Sequence, residues 1–407
     1  MAGHDTVNAG FLPLTDCMIL VIAHEKGFAE KHGIDLRLSK AMSWASIRDY
    51  IAVGQLDVAQ MLAPMPIAFN TGLSEFSAPV IAPMALGLGG NAVTVSTAVW
   101  SQLTENSGGK IHESPSSAGQ ALKELTKKRE SKKETKLRLA VVHPFSSHNL
   151  ELRYWLSSCG IDPQTDLDVL VVPPPLMPDA LKNNQIDGYC VGEPWNSVAV
   201  EKGIGRILTT KSEIWHSSPE KVLGVRTDWA DQNPDIMQRL LTALLEASEW
   251  CSLETNHVEL STILGEPDYI GVDPDVIRRG LAGEIYPSET GHGPVDDFLV
   301  PFERAATFPW QSHALWFYSQ MVRWGLLKHS KENTEIAKGS YRPDIYRKAL
   351  LETGASIPAA NMKVEGALKS ETAVGSTGRL TLGPDGFFDG KIFDPDEVDA
   401  YIASFSR

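Results

Sequence analysis

Over the first two hundred residues, short apolar runs alternate with stretches whose apolar residues recur every three or four positions. The runs predict strands over 7–12, 34–38, 56–62, 80–85, 92–96, 137–142, 168–172 and 188–191. The periodic stretches between them predict helices over 16–32, 44–53, 117–130, 148–159 and 175–183. Such alternation implies βαβ units and parallel sheets covered on both faces. From Pro234 the pattern turns helical, over 234–251, 257–265, 273–282 and 313–327. Asn233-Pro234 and Asp273-Pro274 each set a capping residue ahead of a helix-starting proline. Residues 284–312 read as a loop. The tail beyond Gly354 is rich in Gly, Ser, Thr and Asp, with weak strand patterns at 379–382 and 390–393.

Two breaks interrupt the α/β alternation. One is Gly87-Leu88-Gly89-Gly90, ahead of Asn91; the other is Gly192-Glu193-Pro194-Trp195. The block 92–193 therefore reads as a lobe inserted into a first lobe made of 1–91 and 194–407. Two α/β lobes joined by crossings near Asn91 and Glu193 enclose a cleft. Clefts of this kind favour small-ligand sites, and the crossings can act as hinges.

Composition narrows the function. The 407 residues are enough for two or three domains, and the hydrophobic share of 43% suits a packed core. No run approaches the roughly 20 apolar residues of a membrane helix. The net charge of −14 argues against general nucleic-acid affinity. The stretch Lys127–Lys133, with its interleaved acid, reads as a solvated helix face. Cys17, Cys159, Cys190 and Cys251 show no CxxC spacing, so neither a zinc site nor a disulfide framework is expected. The opening Met1-Ala2-Gly3-His4 has no basic, apolar and small-residue export pattern, which sets the expectation of a cytoplasmic protein.

Catalytic signatures are missing: there is no GxSxG, HExxH, P-loop or EF-hand pattern. Gly87–Ala92 lacks the third glycine of a dinucleotide fingerprint and precedes a strand. What remains is a set of donors near strand ends and helix starts. Ser43 is an N-cap candidate and Trp44, beside it, either packs or offers an indole N–H. In His143–Asn149, Ser147 is a capping candidate and His148 lies in the first turn, where a helix N-terminus can receive an anion. His148 could equally be a capping or surface histidine. Asn91 either shapes the turn after Gly90 or donates from its amide. Lys221, just before a strand, reads on its own as an exposed lysine.

Several longer motifs resemble the NrtA/CmpA nitrate- and bicarbonate-binding proteins of ABC transporters. They are LAPMPIA around Met65-Pro66, HNLELRYWLSSCGI at His148–Ile161, VVPPPLM at Val171–Met177, and GEPWN at Gly192–Asn196. EIWHSSPEK at Glu213–Lys221, RTDWADQNP at Arg226–Pro234 and FPWQSHALWFYSQMVRWG at Phe308–Gly325 complete the set. The resemblance implies the bilobal type II periplasmic-binding-protein fold, without a cofactor or catalysis. It implies ligand contacts from Trp44, His148 and Lys221, and a backbone contact about Pro174. It also implies one from Asn91, where the family has a glutamine one methylene longer. A lysine at 221 suits nitrate, which cannot donate a hydrogen bond. The bicarbonate branch resembles a glutamate there, working with calcium.

Together with the expected cytoplasmic location, the resemblance points to the NasS-like nitrate and nitrite sensors. For them it implies a NasT-like RNA-binding antiterminator as partner, released when the anion binds. The alternatives are the binding component of a nitrate or bicarbonate transporter and, remotely, an enzyme similar to the thiamin-pyrimidine synthase of the same fold superfamily.

Overall fold

A computed structural model of the chain describes residues 4–74, 76–107, 111, 113–286, 293–374 and 379–405. Its strands, in chain order, are β1 (Asp5–Phe11), β2 (Ile34–Lys40), β3 (Val58–Leu62), β4 (Val80–Ala85), β5 (Leu88–Gly89), β6 (Asn91–Ser96), β7 (Arg138–Val141), β8 (Asp168–Val171), β9 (Gly188–Gly192), β10 (Gly205–Thr210), β11 (Lys221–Arg226), β12 (Leu299–Val300), β13 (Thr372–Val374) and β14 (Leu380–Leu382). Two five-stranded sheets form, in the orders β2-β1-β3-β11-β4 and β10-β6-β9-β7-β8. Helices flank both, giving the two-lobed α/β architecture.

The sheets are mixed rather than purely parallel. β11 runs antiparallel to β3 and β4, and β6 runs antiparallel to β9 and β10. Both are the strands entered after the chain changes lobes. The return crossing also lies later than the break at Glu193 suggests. The chain touches the first lobe there, with Thr15 N–H bonded to Glu193 O at 2.8 Å and the Trp195 indole to Pro13 O at 2.9 Å. It then turns back through the helix Trp195–Glu201 and adds β10 to the second sheet, reaching the first sheet only at Lys221.

Local chemistry explains the elements that position the cleft. Ser43 caps the helix Trp44–Ala52, its Oγ accepting from Ser46 N–H at 3.2 Å. Trp44, Ile47 and Ile51 recur at helical spacing and are buried. The glycine-rich break is demanded by close approach. Gly89 has φ +73°, and a Cβ there would lie 2.1 Å from Phe298 O of the segment that pairs through β12 with β5. The expected helix 16–32 is broken at Gly27, φ +71°, into Met18–Glu25 and Phe28–Lys31.

The C-terminal third joins the two lobes. The helix Gln311–Arg323 packs on the helix Ser147–Ser158 of the second lobe, and Arg323 Nη2 donates to Ser157 Oγ at 2.7 Å. The helix Lys331–Ser340 packs on the first lobe, and Tyr341 Oη bonds to Ala63 O at 3.0 Å. The tail forms β13 and β14 near the expected 379–382. The other expected strand, 390–393, is only a bridge between Phe393 and Glu365.

Candidate functional site

Both lobes present the carboxyl ends of parallel strands to one another, the usual ligand position in open α/β sheets. Lys221 opens β11 opposite Leu62, the last residue of β3. Asp16 follows the end of β1. Asn91 opens β6 opposite Gly192, the last residue of β9. The helix Ser147–Ser158 begins just beyond the end of β7. Its N-cap is Ser146, whose Oγ accepts from Asn149 N–H at 3.0 Å, rather than Ser147. Ser147 is thereby free to turn its hydroxyl elsewhere.

These ends converge on the carboxylate of Glu220. Its Oε2 accepts from Asn91 Nδ2 at 2.5 Å, from Lys211 Nζ and from the Ser147 hydroxyl. Its Oε1 accepts from Lys221 Nζ at 2.5 Å and lies 3.4 Å from His148 Nδ1. Lys221 also reaches Asp16 Oδ2 at 2.8 Å, and Asp16 Oδ1 accepts from Gln60, whose own Oε1 takes Leu12 N–H at 2.8 Å. Lys211 contacts Glu151 Oε1 at 3.1 Å and donates to Pro219 O. Trp44 lies beneath Lys221, with Nζ 5.5 Å from the ring centroid. Lys221 itself has 0% exposure, against its reading as a surface lysine.

Four of the five sequence-predicted residues, Trp44, Asn91, His148 and Lys221, thus meet in one enclosed cluster. Pro174 does not join it. It is buried at the start of a 3₁₀ turn after β8. Asp16, Gln60, Glu151, Lys211 and Glu220 belong to the cluster and were not singled out from the sequence. Glu220 and Glu151 carried a signal, as parts of the PEK and HNLELRYW motifs.

Burial and pairing set the charges. Burial opposes ionisation of Glu220, but His148, Lys211 and Lys221 outweigh it and hold the carboxyl well below its usual range. Asp16 is raised because burial exceeds the effect of Lys221. Burial pushes Glu151 up to about 8 and His148 down to about 3, so both are neutral near pH 7. Lys221 is raised, burial being overcome by Asp16 and Glu220.

Not every donor is used. The Trp44 indole N–H and His148 Nε2 are buried without a hydrogen-bond partner, as is Asn91 Oδ1. An unpaired buried donor costs about 1–3 kcal/mol, so the Trp44 indole and the His148 ring mark where a ligand oxygen fits, whereas Asn91 Oδ1 is an acceptor and does not. Among the described residues, no group of three or more His, Cys, Asp or Glu could hold a metal ion. A groove of about 1070 Å³ elsewhere, rimmed by Arg278, Arg304 and Arg379, includes none of the cluster.

Comparison with known proteins defines the class. A model of the NMT1-like family matches residues 2–265. The crystal structure of the periplasmic nitrate-binding protein NrtA from Synechocystis PCC 6803 superposes with a TM-score of 0.85 at 29% identity, covering 99% of each chain. The nitrate/nitrite binding protein NrtA of Nostoc sp. PCC 7120 is 32% identical, covering 97% of this chain and 84% of its own. The nitrate import ATP-binding protein NrtC of Synechocystis sp. PCC 6803 is 35% identical over 98% of this chain, which spans only 55% of that relative's length. The chain belongs to the NMT1-like family and, within it, to the two-lobed nitrate- and bicarbonate-binding proteins, which are not enzymes.

Proposed function

We propose that the enclosed cluster between the lobes binds nitrate or nitrite. The observation carrying this reading is the pair of unpartnered buried donors, Trp44 Nε1 and His148, beside the ammonium of Lys221. Nitrate is planar, weakly basic and unable to donate, so it is suited to several oriented donors around one cation. The NrtA likeness supports the same ligand. Calorimetric titration of nitrate, nitrite and bicarbonate, the last with and without calcium, tests it. Saturable nitrate or nitrite binding is the expected result; binding of calcium-dependent bicarbonate alone would overturn it.

Within that reading we infer a regulatory role. The chain acts in the cytoplasm as a NasS-like sensor that holds a NasT-like antiterminator and releases it when the anion closes the lobes. Reciprocity requires the partner to lower anion affinity by the same factor that the anion lowers partner affinity. The relatives' names favour the other form, a transporter's binding component. Titrating nitrate in the presence of the purified antiterminator separates the two: an unchanged affinity removes the sensor role and leaves anion binding intact.

A further inference from the structure

Glu151 is the least supported charge in the cluster. It is 3% exposed, and neither carboxyl oxygen has a hydrogen-bond partner. The nearest cation is Lys211, 3.1 Å from Oε1, whose ammonium is shared with Glu220 and Pro219 O. By contrast Glu220 has four donors, and Asp16 has Lys221 and Gln60. Two lysines cannot balance three ionised carboxylates in an enclosed site, and an incoming anion deepens the deficit. The groups facing Glu151 are Lys211, Glu220, Lys221 and Cys190, with His148 one turn back on its own helix. Among the described residues, the cation in contact with it is Lys211, shared with Glu220.

We propose that Glu151 is the proton-holding, charge-selecting carboxyl of this anion site: it must be protonated when an anion is bound, so binding takes up one proton from solvent wherever the free protein has lost it. This rests on the anion-binding reading above. In its neutral form Glu151 leaves two ammonium groups against two carboxylates, an arrangement that admits one negative charge. The site is accordingly selective for monoanions over dianions such as sulfate. The burial that raises Glu151 to about 8 places the onset in mildly alkaline solution.

The test is calorimetric titration of nitrate from roughly pH 7 to 9.5 in two buffers of different ionisation enthalpy, on the wild type and Glu151→Gln. In the wild type, affinity is flat below about pH 8, then weakens about tenfold per pH unit as uptake approaches one proton. Glu151→Gln binds nitrate with a flat profile and no uptake. Nitrate binding that is flat in the wild type overturns the proposal while leaving the anion reading in place. Uptake persisting in Glu151→Gln also overturns it, placing the proton on His148 instead. Absence of nitrate binding at every pH removes the anion reading itself. Should Glu151→Gln fail to fold, infrared difference spectra of the wild type at about pH 9 decide: nitrate must bring in a protonated-carboxyl band, and its absence overturns the proposal.

Discussion

Among the described residues, the cleft cluster and a second buried ionic cluster of similar composition do different work. In the tail, Lys363 bonds Asp385 at 2.7 Å and pairs with Glu365, whose Oε1 accepts from Ser312 at 2.6 Å. His313 Nε2 lies 3.4 Å from the same oxygen, and Leu368 N–H closes Asp385 at 2.9 Å. Burial opposes charge on Glu365, but Lys363 and His313 hold it down at about 2. Both clusters leave a ring nitrogen and a nearby indole N–H unpaired, His313 and Trp215 in the tail and His148 and Trp44 in the cleft, but each tail carboxylate is hydrogen-bonded, whereas in the cleft Glu151 has only its 3.1 Å contact with Lys211. Buried charge by itself therefore indicates a clasp as readily as a site; the under-bonded carboxyl and the meeting of strand ends from both lobes make the distinction.

The comparison can be broken most directly at its lysines. Lys221→Met removes the cation and strands Asp16 and Glu220, which costs about 3–5 kcal/mol of stability. Nitrate affinity falls by more than about a hundredfold, read by calorimetry. Lys363→Met costs a similar amount in denaturant unfolding, yet the folded protein keeps its nitrate affinity within about threefold. A collapse of affinity in Lys363→Met would erase the difference between the clusters. Glu151→Gln sharpens it through pH. The folded Glu151 holds its proton up to about 8 against an ordinary 4.5, so its contribution is complete below pH 4.5 and is lost as pH rises through 8, about 1.4 kcal/mol per unit. Thermal melts should show the variant more stable than wild type at about pH 9 and comparable near pH 5. The smallest effect belongs to Trp44→Phe. It removes one donor and weakens nitrate by about 1 kcal/mol, roughly fivefold, without loss of stability.

Much of the scaffold was legible because it is local. Strand runs, the Ser43 cap and the Asp273 cap, accepting from Asp275 N–H at 2.9 Å, depend on neighbours within a few residues. The missed β10, GRILTT, is a short strand whose partner is β6, more than a hundred residues back. The helix Lys331–Ser340 carries few apolar residues, so its periodicity is faint; Pro343–Leu350 is amphipathic, with Tyr346, Ala349 and Leu350 buried, but runs for only eight residues. In the site, Trp44, Asn91, His148 and Lys221 were visible through motifs and strand ends. The central role of Glu220, and its contacts from Asn91, Ser147 and Lys211, arise only when both lobes are assembled. Nothing near Glu151 or Lys211 in sequence announces that they meet.

The tail that carries the second cluster also reaches the cleft machinery from behind. Asp389 accepts from Tyr154 and Ser158, both at 2.8 Å, on the very helix whose first turn holds His148, and Phe387 stacks on Trp215, five residues before Glu220. A brace on that helix and on the segment leading into Glu220 narrows the range of open forms the free protein samples. Less conformational freedom is then surrendered on capture, so the bound anion is held more tightly and leaves more slowly than two lobes on bare hinges would allow.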